Sequence, residues 1–102
     1  MSATTIFISE LVRAANELRK LDDYQRSRLL YRAIATIRDG REQVGVPQTK
    51  TAADVVVDLQ TIAASVYRRS DDEVKAAFLN AANTIRTLKI VLDAKDDVLQ
   101  GE

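Results

Sequence analysis

Acidic residues close together in sequence are the first place to look for chemistry in this chain. They are Asp22-Asp23, Asp71-Asp72-Glu73, and Asp93 with Asp96 and Asp97. Grouped carboxylates can hold a hard divalent cation through oxygen or exchange protons as general acid and base. The first two groups each open an amphipathic stretch. There a short acceptor satisfies free backbone N–H groups and a negative charge meets the positive end of the helix dipole. Capping therefore accounts for both. Asp93 and Asp97 share a helical face and could ligate magnesium, but no second acidic cluster or phosphate-binding group accompanies them. The simpler reading is a solvated tail whose acids oppose the helix dipole, so no metal site is expected.

Arginines come next. Arg26, Arg28, Arg32 and Arg38 fall on one helical stretch, and Arg13, Arg19 and Lys20 on the one before it. Arg28 and Arg32 lie one turn apart and can grip phosphate or an acidic partner, which makes them the candidate anion or nucleic-acid contact. A DNA-reading hairpin turns through a short segment, often with glycine. Here that segment is Leu21-Asp22-Asp23, whose acids repel phosphate. Tyr24, Tyr31 and Tyr67 can anchor a partner, or can edge a helical core with the hydroxyl in water.

Neither cysteine nor histidine occurs. Thiolate chemistry, disulfides and the commonest general base and transition-metal ligand are thereby removed. No glycine-rich phosphate loop, G-x-S-x-G or H-E-x-x-H motif is found. The expectation is a non-enzyme, with no catalytic residues and no cofactor.

The 102 residues, 46% hydrophobic and 29% charged, are predicted to form one globular helical domain, residues 1–102. Three glycines and one proline leave too few turns for a sheet sandwich. Formal charge is zero, yet residues 1–50 hold nine bases and six acids (+3) and the remainder six and nine (−3). A chain-wide basic footprint for nucleic acid is missing. No apolar run approaches a membrane span. The Ile6-Phe7-Ile8 run is too short for a signal-peptide core. A cytoplasmic protein without membrane contact is predicted.

The elements that must position these residues follow from apolar periodicity. A first helix is predicted from about Thr5 to Lys20, capped by Thr4 or Thr5, with Phe7 or Ile8, Leu11, Ala15, Leu18 and Leu21 on one face. A second begins at the capping box Asp22-Asp23-Tyr24-Gln25, buries Leu30, Ala33, Ile34 and Ile37, and ends at Gly40. Residues 41–50 form a linker, broken by Gly45 and Pro47. A third helix starts after Thr51 with Val55, Leu59, Ile62 and Val66 inward. A fourth starts at the box Ser70-Asp71-Asp72-Glu73. Its stripe is Val74, Phe78, Ala81, Ile85, Leu88 and Leu92, and it reaches Asp93, fraying to about Val98.

Shifted by 48 residues (11 onto 59), the chain partly matches itself. Leu11/Leu59, Ala15/Ala63, Asp23/Asp71, Ala33/Ala81, Thr36/Thr84, Ile37/Ile85 and Arg38/Arg86 are identical. The fold predicted is all-α, a four-helix bundle-like domain built from two repeated helical hairpins, 5–40 and 51–98. Each hairpin exposes an apolar face that the other must cover.

The fourth helix has more apolar positions than one seam uses, and the N-terminal apolar run adds others. Phe7, Leu79, Ile90 and Val91 are therefore the candidate partner-binding residues. The reading is a small non-catalytic interaction module, a homodimeric regulator or adaptor with a further protein partner not identified by sequence. The alternatives are a nucleic-acid-binding module using the arginines of the second helix, or a structural subunit of a phage- or secretion-type assembly.

Overall fold

The computed structural model describes residues 2–44 and 50–100. It is helical, with no strand among those residues. Helix α1 spans Ala3–Asn16, α2 Asp23–Val44, α3 Lys50–Ala64 and α4 Asp71–Gln100. A 3₁₀ turn follows each shorter helix, at Leu18–Lys20 and at Val66–Arg68.

The 48-residue shift carries over to the backbone. It maps the end of α1 at Asn16 onto Ala64, the turn Leu18–Lys20 onto Val66–Arg68, and the start of α2 at Asp23 onto Asp71. Glu17 and Ser65 break the helix at matching dihedrals (φ −118°, ψ 36° and φ −132°, ψ 28°). Leu21 and Arg69 then turn the chain into an extended conformation. Both predicted capping boxes form. Asp22 Oδ1 accepts from the Gln25 N–H at 2.8 Å, and Gln25 Oε1 accepts from the Asp22 N–H at 3.0 Å. Ser70 Oγ accepts from the Glu73 N–H at 3.1 Å.

Several boundaries differ from the sequence expectation. Helix α1 ends at Asn16, not Lys20, because Glu17 leaves helical geometry and the expected last turn is a 3₁₀ turn. Ser2, not Thr4 or Thr5, caps α1: it is extended, and its hydroxyl accepts from the Thr5 N–H at 3.1 Å. Gly40 does not end α2, which continues one turn to Val44, so residues 41–44 of the expected linker are helical and α3 already begins at Lys50. Gly45, Val46 and Pro47 lie outside the described residues. At the far end α4 runs to Gln100, just beyond the expected limit near Val98 and without a break at Asp93; the side chains of Asp96 and Asp97 lie outside the described set.

Gly40 is buried because a neighbour needs its space. A Cβ there would come within 3.1 Å of Leu88 Cδ1. Leu88 is Gly40 shifted by 48, so a small residue on α2 receives the large one on α4. Arg26 and Asp71 join the starts of the same two helices, so α2 and α4 run parallel with both turns at one end. Helix α1 packs most extensively on α4, and α3 on α2. Each hairpin thus closes mainly over the other, although α3 also touches α4. The shared core includes Leu11, Leu30, Ile37, Leu59, Val74 and Phe78, all nearly or fully inaccessible.

Candidate functional site

The acids do what capping predicts. Glu73 accepts from the Arg69 guanidinium at 3.0 Å, which lies beside it, and from Ser70. Arg69 first, then Ser70, hold its carboxyl below the usual carboxylate range. Asp93 accepts from Lys89 Nζ at 2.7 Å. Among the described residues no group of three or more acids is placed to hold a metal ion. No described helix is long and apolar enough to cross a membrane.

Helix α2 carries five arginines: Arg41, in its last turn, is half-buried, and the four predicted ones divide into two pairs. Arg26 points inward. Shifted by 48 it falls on the fully buried Val74, so it fills a core position with a guanidinium. That group donates to the Leu18 carbonyl at 2.8 Å, the Leu21 carbonyl at 3.1 Å and Asp71 Oδ1 at 3.1 Å. It therefore adds a second donor to the Leu18 carbonyl, which already accepts from the Leu21 N–H, bonds the Leu21 carbonyl, and ties the first turn to α4. Arg32 pairs with Glu10 at 3.2 Å and lies over the Phe7 ring, 4.6 Å from its centroid. Only Arg28 and Arg38 remain outward without an ion pair or hydrogen bond among the described residues. The pair Arg28 and Arg32 is therefore not brought together as one anion grip.

The four candidate partner residues are also separated. Phe7 is 7% exposed and belongs to the core, beneath Arg32, because α1 turns it toward the bundle. Ile6 carries the outward position instead. Leu79 is half-buried against the core. Ile90 and Val91 are exposed, 62% and 40%. Leu79 and Ile90 share one outer row of α4, but Asn83 and Arg86 lie between them, bonded to each other at 3.3 Å. The apolar surface of α4 is thus a row interrupted by polar groups, ending in Ile90 and Val91.

A groove of about 380 Å³ runs between the start of α1, the end of α2 and α4. Thr4, Thr36, Asp39, Lys89 and Asp93 line it. It is lined by hydroxyls, carboxylates and an ammonium that pairs with Asp93.

A second outer row escaped the sequence reading. On α2, Tyr24, Arg28, Tyr31, Ala35, Arg38 and Glu42 recur at alternating steps of four and three, and all are exposed. From Arg28 onward this is the α4 row Ala76, Leu79, Asn83, Arg86, Ile90 shifted by 48. The spacing was visible in the sequence. It was masked because the row is not apolar, and a search for buried stripes passes over aromatic and cationic positions.

In comparisons with known proteins, no family model matches the chain, and neither a curated protein nor a solved structure matches it.

Proposed function

We propose that the chain is a non-catalytic helical protein–protein interaction module, a regulator or adaptor that forms a homodimer and acts in the cytoplasm. The observation that carries this reading is the pair of outer rows on α2 and α4. Both have the four-and-three spacing at which one helix packs on another. Both expose large side chains, Tyr24 and Tyr31 on one and Ile90 on the other, after the core has been filled. Tyrosine and arginine are also the side chains most enriched where partners anchor.

The residue inventory supports a binding role over a catalytic one, since the chain has neither cysteine nor histidine to serve as thiolate or imidazole base. It also gives nucleic acid little purchase. Of the five α2 arginines, Arg26 and Arg32 are engaged within the chain and Arg41 is half-buried, whereas a polyanion site draws on several free cations. Sedimentation equilibrium of the full chain tests the self-association. At about 100 µM a mass of two chains is expected, the range in which a small helix-on-helix contact associates. A mass of one chain at every concentration overturns it.

A further inference from the structure

The α2 row is complementary to itself, and that complementarity identifies its occupant. We propose that the homodimer forms by antiparallel packing of α2 on α2 of a second copy, with the two-fold axis through Ala35. The inference rests on the dimeric reading above and adds the surface and the register.

Three matches arise together. Arg28 precedes Ala35 by seven residues (35 − 28), and Glu42 follows it by seven (42 − 35). An antiparallel two-fold at Ala35 sets each Arg28 beside the other copy's Glu42, giving two symmetric ion pairs. Tyr31 and Arg38 flank Ala35 at four and three residues, so each ring meets the other copy's guanidinium at cation–π spacing. Ala35 itself is the smallest residue in the row and sits where the two backbones must approach most closely. Among the described residues Arg28, Arg38 and Glu42 make no ion pair or hydrogen bond within the chain, although all lie on an ordered helix. Neighbouring Arg32, by contrast, is paired to Glu10. The charges left over are the ones the second copy uses.

The α4 row is the internal control. Shifted by 48, the same operation centres on Asn83, sets Leu79 against Arg86 and Ala76 against Ile90, and makes no ion pair. Self-association therefore belongs to α2, and the more apolar α4 row stays open to a different protein. The acid at the end of the α2 row fits a helix partner better than a polyanion, which Glu42 would repel. One helix from each copy buries less than a standard interface, so the dimer is weak and concentration-dependent.

Charge exchange and cross-linking test the register. Arg28→Glu and Glu42→Arg alone each raise the dimer dissociation constant, measured by sedimentation, by about tenfold or more. The double variant R28E/E42R restores it to near the starting value. Residues 28 and 42 are four turns apart in one chain, so recovery can only arise between copies. Because the chain lacks cysteine, Ala35→Cys adds a single thiol, which is expected to form a disulfide-linked dimer under mild oxidation. Asn83→Cys, its counterpart on α4, is expected to remain monomeric. A dimer that ignores both charge reversals, or that cross-links through residue 83 as fast as through 35, overturns the α2 register and leaves the dimeric reading standing. A chain that stays monomeric throughout overturns both.

Discussion

Arg26 shows most clearly what a single side chain does in this fold. Its donors reach the Leu18 and Leu21 carbonyls of the turn, in partly buried bonds. Arg26→Met keeps the apolar stem and removes the donors. It should lower the unfolding free energy by about 2–3 kcal/mol, read from urea denaturation. Asp71→Asn should cost less than about 1 kcal/mol, because Asp71 is largely in water. Gly40 makes an opposite point about space. Gly40→Ala should be near neutral, since about 1 kcal/mol of helix propensity offsets the shift of one Leu88 methyl. Gly40→Leu should destabilise by about 1–3 kcal/mol through overpacking, seen as a lower Tm. Neither role was legible in the sequence. Arginine at a core position looks like any solvated arginine, and a glycine after Asp39 looks like a helix stop. Only the opposing Leu88 shows why the side chain is absent.

Periodicity made the four helices legible, because each must turn one apolar face inward wherever it packs. The capping boxes were legible too, since their chemistry is local. Helix ends were less so: α2 passes Gly40, whose missing side chain makes room for Leu88 rather than a stop, and α1 ends a turn early at Asn16. The cap of α4 gives a pH test. Arg69 and Ser70 favour the charged form of Glu73. The stabilisation they confer is therefore present above the unfolded carboxyl pKa and is lost as pH falls below about 4. The Tm of the unsubstituted chain should exceed that of Glu73→Gln at neutral pH, and the two should converge in acid. With no histidine to titrate, stability should be nearly flat between about pH 5 and 8. Of the candidate site, Ile90 and Val91 were legible as surplus apolar positions. Phe7 was not separable from Ile6, because neighbours in an apolar run differ only in which way the helix turns them.

At the scale of the molecule the repeat was legible but the pairing was not. A hairpin's apolar stripe is satisfied equally by its own partner helix or by the other hairpin's, and periodicity does not distinguish them. In the fold α1 lies on α4 and α3 on α2. Neither hairpin should therefore hold its structure alone. Peptides 2–44 and 50–102 are each expected to show weak helical circular dichroism, and a one-to-one mixture to regain most of the ellipticity with one cooperative melt. A cooperative melt from peptide 2–44 by itself would count against the interlocked packing.

The place where α1 begins carries one more implication. Ser2 and Thr4 share a groove with Leu92 and Asp93, so the start of the first helix lies beside the later part of the last. A circular permutant that starts at Lys50 and joins the end of α4 to Ser2 through a short linker would reach the same interlocked core. Its thermal unfolding, followed by circular dichroism, should match that of the parent chain in cooperativity; a permutant that fails to fold would show that the order of the two halves matters.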